Sequence, residues 1–248
     1  MGDLLDTGAT TRRERAVNVL VTGFGAFRSA KKNPSWETAK LLSKRGIPCE
    51  DANRQISLDI SYVPTEYEYV TEILAHFHGL SDHAPTIPQS LIDDPVVAAR
   101  SDFDPQKRYD LILHIGQGKS GGVCIETVGH QTGYDKADAT DRLAPLIEEP
   151  SKSPEGSRGH SVSEVVGREL NTDGELLTQI DTAKLVDTVS KEFTDIKITK
   201  SIDAGHYLCD FIFFGSLAAA IQAQDRARAA GTDPARTQKT WRMCYRAL

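Results

Sequence analysis

The sequence is poor in the features that mark membrane, nucleic-acid-binding and metal-binding proteins. No apolar run reaches the roughly 18 residues that suggest a membrane span. The 29 Lys and Arg residues are outnumbered by 35 Asp and Glu residues and form no long basic run, so neither nucleic acid nor a membrane is an expected partner. The four cysteines form no CxxC pair, which argues against a zinc site or a thioredoxin-like motif.

Targeting signals are also missing from the first residues. Residues 1–16 contain no apolar core of a secretory signal, and their acidic residues argue against a transit peptide. The chain starts Met-Gly, but Asp6 stands where the myristoylation pattern has Ser or Thr. We therefore expect a cytoplasmic protein with reduced thiols, a disordered tail over 1–16 and a single domain over 17–248.

Beyond the tail, apolar strand-like runs alternate with amphipathic helical patterns. Strands are predicted over 16–22, 55–63, 109–116, 122–130 and 195–201, and helices over 33–46, 65–80, 181–193 and 208–230. This alternation predicts an α/β fold with a mostly parallel sheet covered on both faces. Two stretches rich in Pro and Ser, near 81–108 and 145–175, are predicted to be irregular inserts.

The stretch GQGKSG over 116–121 follows a predicted strand and matches the G-x-G-x-x-G pattern of dinucleotide-binding proteins. Asp138 lies roughly twenty residues further on, as that pattern also requires. A helix should begin at these glycines, because its N-terminus binds the pyrophosphate. The β-prone GVCIET follows instead, so nucleotide binding stays a minor hypothesis that a helix after Gly121 would revive.

Cys209 lies in DAGHYLCDFIFFGSL, just after a turn marked by Gly205 and at the start of a predicted helix. A free cysteine in such an apolar run is commonly a buried core residue. The alternative is a nucleophile, because the positive end of a helix dipole favours the thiolate, which is the reactive form. The residues alone leave both interpretations open.

Five stretches of the chain match one family's motifs in the family's order. They are VTGFGAFRSAKKNPSWE over 21–37, VPTEY over 63–67, HIGQGKSGG over 114–122, ETVGHQTGYD over 126–135 and DAGHYLCDFIFFGSL over 203–217. Together they resemble the pyroglutamyl peptidase I (pyrrolidone-carboxylate peptidase) family of cysteine peptidases. Each motif is short, but five in the same order between about residue 17 and about residue 220 are specific.

The resemblance implies a three-layer α/β/α sandwich that removes N-terminal pyroglutamate from peptides by acyl transfer, with no cofactor and no metal. Its implied nucleophile is Cys209, and its implied acid is Glu126, which would orient a histidine base. We expect the two to approach one cleft at the strand carboxyl ends. The implied substrate-binding residues are Phe24, Phe27, Gln117, Tyr207 and Leu208. Without the resemblance, Glu126 would be a solvated strand-end carboxylate, and the two phenylalanines would be ordinary packing residues.

The family's histidine base follows its cysteine in a late strand, and this chain has no histidine after Cys209. The seven histidines are His76, His78, His83, His114, His130, His160 and His206. The tail DPARTQKTWRMCYRAL shows no clear strand period, so we expect the C-terminal strand to be missing. Two functional hypotheses result: a pyroglutamyl peptidase, or a catalytically impaired homologue that binds pyroglutamyl peptides or another partner without turnover.

Overall fold

The computed structural model describes most of the chain, in eight segments. They comprise residues 16–27, 32–45, 55–83, 85–86, 107–118, 121–147, 156–232 and 239–245, the side chains of 43–45 and 239–245 excepted. The strands are β1 (Val17–Phe24), β2 (Ile56–Val63), β3 (Leu111–Gln117), β4 (Val123–Glu126), β5 (Val128–His130), β6 (Glu175–Leu177), β7 (Ile198–Ser201) and β8 (Lys239–Tyr245). The helices are α1 (Pro34–Arg45), α2 (Tyr67–Phe77), α3 (Glu164–Glu169), α4 (Thr182–Glu192) and α5 (Leu208–Ala229).

Six strands form one sheet in the order β2-β1-β3-β8-β4-β7. Four of the five pairings are parallel, and only β4 and β8 run antiparallel to each other. A separate two-stranded sheet pairs β5 with β6. The mostly parallel mixed sheet predicted from the sequence is therefore confirmed.

Helices cover both faces of the sheet, and the alternation of side chains along β1 explains why. Val19 and Val21 point to one face, where they pack with Trp36 of α1. Leu20 and Phe24 point to the other face, where they join the core formed by α2 and α5. Both sides of β1 are therefore apolar, as expected of a central strand in a three-layer sandwich.

The close packing of α1 on β1 depends on a glycine. A Cβ atom at Gly23 would lie 2.6 Å from the Cα atom of Trp36, so no larger residue fits there without a backbone shift. Asn33, just before α1, accepts hydrogen bonds from the backbone N–H (3.1 Å) and the hydroxyl (2.8 Å) of Ser35. The Ser35 hydroxyl in turn accepts from the backbone N–H of Phe24 at 2.9 Å. The N-terminus of α1 is thereby fixed to the end of β1.

Two expectations about irregular segments need correction. The C-terminal strand is not missing: β8 lies between β3 and β4 and joins the two parts of the sheet. The insert near 145–175 is partly regular, since α3 packs against α5 through Val166. Residues 1–15 of the predicted tail over 1–16 and most of the insert near 81–108 lie outside the described residues. Among the described helices, none has the length and apolar character needed to cross a membrane.

Candidate active site

Cys209 is the second residue of α5, and its side chain is half-buried. It packs against the core cluster that contains Phe24 and Leu208. Its Sγ atom forms no hydrogen bond with any residue that the structure describes. The first N–H groups of a helix lack intrahelical partners, and the side chain of Tyr207 at the N-cap does not cap them. Cys209 therefore lies beside backbone N–H groups that have no acceptor within the helix.

The turn before α5 has an unusual backbone conformation. Gly205 has φ 89° and His206 has φ 41°, so two consecutive residues lie in the left-handed region. The Asp203 carboxylate accepts a hydrogen bond from the backbone N–H of Gly205 at 2.7 Å, which holds the turn. Such a conformation is uncommon for a residue with a side chain, although histidine is among those that tolerate it. It directs His206 back toward the first turn of α5.

Asp210, directly after Cys209, is fully buried and gathers polar groups around it. Its Oδ2 atom lies 3.0 Å from Nδ1 of His130 and 3.7 Å from Nδ1 of His206. The hydroxyl of Tyr134, which donates to the backbone carbonyl of His130, lies 3.3 Å from the same oxygen. The hydrogen bond from His130 to Asp210 raises the pKa of this histidine above its ordinary value, although partial burial opposes the shift. Two imidazoles and one carboxylate thus meet at the start of α5.

A third histidine lies next to this cluster but in an apolar setting. The ring of His160 stacks on Phe211 at a centroid distance of 3.8 Å and lies near Phe214 at 5.2 Å. Its Nε2 atom bonds to the backbone carbonyl of Phe211 at 2.8 Å. Burial lowers the pKa of His160 to about 4, so its ring is neutral at neutral pH. It packs against α5 from the insert near 145–175.

Glu126 is the last residue of β4 and is 3% exposed, so it is not the solvated carboxylate that its strand-end position suggests. Its Oε2 atom is buried and has no hydrogen-bond partner within the described part of the chain. Because β4 runs antiparallel to β8, Glu126 is paired with Arg242, and Arg242 is paired with His114. Glu126 therefore lies level with the middle of β3 rather than with Gln117 at its carboxyl end.

Register also identifies the sheet face on which Glu126 lies. Paired residues of neighbouring strands project from the same face, and side chains alternate along each strand. Ile112 packs in the core under α2 and α5, so His114, two residues on, shares that face. Glu126 is in the same row as His114 and thus lies on the face that α5 covers. Cys209 and Glu126 therefore share one side of the sheet. The carboxyl edge expected for both is formed by β1, β2, β3 and β8, whereas β4 runs in the opposite direction.

Four of the five predicted substrate-binding residues divide into a buried pair and a half-buried pair. Phe24 and Leu208 are buried, at 3% and 1% exposure, in the core cluster against which Cys209 packs. Phe27 is half-buried, and its ring contacts that of Tyr207 at 5.4 Å, which brings it beside the turn before Cys209. The hydroxyl of Tyr207 donates to the carbonyl of Ala137 at 3.0 Å, so this ring is fixed.

The remaining predicted residue, Gln117, is exposed at the carboxyl end of β3. The chain after it continues into strand β4 at Val123, not into a helix. The condition for reviving nucleotide binding at GQGKSG is therefore not met. His114 is fully buried, and its Nδ1 atom bonds to the hydroxyl of Thr22 at 2.8 Å, a contact that suits a structural role.

Sequence reasoning missed Asp210 and left His130 and His206 without geometric support. A signal was present, since His130 and Tyr134 both belong to the quoted stretch ETVGHQTGYD and Asp210 directly follows Cys209. The fold brings these stretches together because β5 packs against α5. A Cβ atom at Gly129 would lie 2.9 Å from the Cα atom of Phe214, which shows how closely the two elements approach.

Comparisons with known proteins agree with this architecture. No protein-family model matches the chain. The chain is 27% identical over 208 residues to pyroglutamyl-peptidase 1 of Rattus norvegicus, covering 80% of this chain and 72% of that protein. The human pyroglutamyl-peptidase 1 matches over the same length with the same identity.

Solved structures with the same fold are also peptidases. The pyrrolidone carboxyl peptidase of Fervidobacterium islandicum superimposes with a TM-score of 0.56 at 22% identity, over 92% of this chain and 80% of that chain. The pyroglutamyl peptidase I of Bacillus amyloliquefaciens superimposes with a TM-score of 0.51 at 18% identity, over 92% of this chain and 82% of that chain. At these identities the structures establish the fold alone.

Proposed function

We propose that the chain, which resembles the pyroglutamyl peptidase I family in sequence and shares the fold of its solved members, is a cysteine peptidase that removes N-terminal pyroglutamate from peptides. The observation that carries the proposal is Cys209 in the uncapped first turn of α5, half-buried and packed beside Phe24. A thiolate at a helix N-terminus is stabilised by the helix dipole, and the open N–H groups can bind an oxyanion.

The reaction is an acyl transfer. The Cys209 thiolate attacks the carbonyl carbon of the pyroglutamyl amide, and the oxygen of the tetrahedral intermediate accepts hydrogen bonds from backbone N–H groups at the start of α5. The C–N bond then breaks, and the leaving amine nitrogen takes up a proton from water. Water hydrolyses the thioester and releases pyroglutamate and the free thiol. Glu126 remains the proposed acid of the site, supported by its burial on the sheet face that α5 covers.

The pocket for the lactam ring is proposed at Phe27 and Tyr207, with Phe24 behind them. A lactam ring is flat and carries an amide, so it needs apolar walls and a few fixed hydrogen bonds. The tilted contact of Phe27 with Tyr207 supplies such a wall next to Cys209. Gln117 is exposed at the carboxyl end of β3, which leaves its side chain accessible to the substrate amide.

One observation favours a second candidate function, binding of pyroglutamyl peptides without turnover. Strand β8 contains no histidine, and Arg242 is the residue paired with Glu126. General acid–base assistance is typically worth about 10² to 10⁴ in rate, so its loss would slow acylation strongly. We therefore expect hydrolysis by this chain to be slow.

Trapping the acyl-enzyme tests the proposed function. The chain is mixed with a pyroglutamyl-aminocoumarin amide, quenched in acid and digested, and the peptide containing Cys209 is analysed by mass spectrometry. We expect an added pyroglutamyl group on Cys209 and none in Cys209→Ser. Binding of the substrate without any adduct would support the second function instead.

Phe27→Ala should weaken substrate binding while the circular dichroism spectrum stays unchanged; unchanged affinity would reject the pocket.

A further inference from the structure

The start of α5 also carries a group of side chains that the peptidase reaction does not use. The imidazoles of His130 and His206 lie 4.4 Å apart between ring centroids, with Asp210 between them. One candidate ligand atom from each of the three residues lies within 4.8 Å of the other two. We propose that His130, His206 and Asp210 form a binding site for a divalent transition-metal ion of the zinc class.

The distances fit such an ion. Ligand bonds of about 2.0–2.1 Å in a tetrahedral zinc site place neighbouring ligand atoms about 3.3 Å apart. The Oδ2 atom of Asp210 lies 3.0 Å from Nδ1 of His130 and 3.7 Å from Nδ1 of His206, on either side of this value. The Nδ1 atom of His206 also lies 3.2 Å from the backbone carbonyl of Thr132, so an ion bound at this atom would replace that hydrogen bond. Two imidazoles and one carboxylate form a borderline donor set that suits zinc, cobalt or nickel better than magnesium or calcium.

An independent observation comes from the opposite side of the His130 ring. Metal-bound histidines usually donate their second N–H to a carboxylate, which fixes the tautomer. The Nε2 atom of His130 lies 3.4 Å from a carboxylate oxygen of Glu175. The other oxygen of Glu175 accepts a hydrogen bond of 2.7 Å from the Asn171 amide. His130 is thus held with Nδ1 directed at Asp210 and Nε2 directed at an anchored carboxylate.

The site is also shaped for access by an ion. The side chain of Asp210 is completely buried, that of His130 is 16% exposed and that of His206 is 44% exposed, so the site opens toward solvent along His206. A Cβ atom at Gly133 would lie 2.9 Å from Nδ1 of His206, so the glycine leaves the space that this ring occupies. Three protein ligands leave one position for water or an exogenous ligand.

Cobalt titration of metal-free protein tests the proposal, because Co²⁺ with tetrahedral nitrogen and oxygen ligands absorbs visible light whereas Zn²⁺ does not. We expect one Co²⁺ bound per chain, displaced by Zn²⁺, with the same spectrum in Cys209→Ser. His206→Gln should weaken binding by at least about tenfold, and Glu175→Gln by about 10- to 100-fold, with unchanged circular dichroism. The matched control His83→Gln changes an exposed histidine elsewhere and should bind as the unmodified chain does.

Two binding results would overturn the proposal. One is the absence of binding at about 1 mM Co²⁺, a concentration that would detect even a weak site. The other is equal affinity in the unmodified chain, His206→Gln and Glu175→Gln. A spectrum dominated by thiolate charge transfer that disappears in Cys209→Ser would also overturn it, because the thiol would then be the ligand. None of these readouts depends on peptidase activity.

Discussion

The buried ring of His160 should make the stability of the protein depend on pH. Its pKa falls from 6.5 to about 4 on folding because the ring is enclosed by Phe211 and Phe214. The unfolded chain therefore binds a proton between these pH values, whereas the folded chain does not. The stabilisation is complete above pH 6.5 and is lost as the pH falls toward 4. At about 1.4 kcal/mol per pKa unit, the loss reaches about 3 kcal/mol.

The test compares the unmodified chain with His160→Phe by urea unfolding at several pH values between about 7 and about 4. Other titrating groups contribute to both chains, so the difference between the two curves isolates His160. We expect the free energy of unfolding to fall less steeply with decreasing pH in the variant by about 3 kcal/mol in total. His83→Phe, which changes an exposed histidine, should keep the steep dependence. Parallel curves for the unmodified chain and His160→Phe would refute the reasoning.

Two further predictions follow from register and from close packing. Arg242 is the residue paired with Glu126, so Arg242→His should raise the rate of pyroglutamyl-amide hydrolysis, by about 10²-fold. The control is Met243→His, at the position paired with Ile125, and equal rates in the two variants would count against the position of Glu126. Gly129→Ala inserts a Cβ atom 2.9 Å from the backbone of α5 and should destabilise the fold by about 1–3 kcal/mol in denaturant unfolding. Gly167→Ala, with open space at its Cβ, should be neutral or stabilising. A larger loss of stability in Gly167→Ala than in Gly129→Ala would show that β5 does not approach α5 closely.

Much of the sheet could be predicted because local sequence determines it. The runs that form β1 and β3 are apolar on both sides, which indicates buried strands. The helix α4 begins after Asp181, whose carboxylate accepts a hydrogen bond from the backbone N–H of Lys184 at 2.9 Å. Strand β8 could not be predicted in this way. Its sequence KTWRMCY interleaves basic and apolar residues, and its strand state depends on pairing with β3 and β4, which lie more than a hundred residues earlier.

The site was predictable only in part, for a related reason. Cys209 and Glu126 were found from family motifs, and the burial of Glu126 contradicts what its strand-end position alone suggests. The polar cluster at Asp210 depends on β5 packing against α5 and on the left-handed turn at His206. Neither the contact nor the turn leaves a periodic pattern in the sequence. His160 reaches the same helix from an insert whose composition indicates only a loop.

The most direct test of the account is the release of aminocoumarin from pyroglutamyl-aminocoumarin by the purified chain and by its Cys209→Ser variant, both shown to be folded by circular dichroism. The account predicts slow release by the unmodified chain, proportional to protein concentration, and none by Cys209→Ser. Equal release by the two proteins, or no release at all by the unmodified chain, would contradict it.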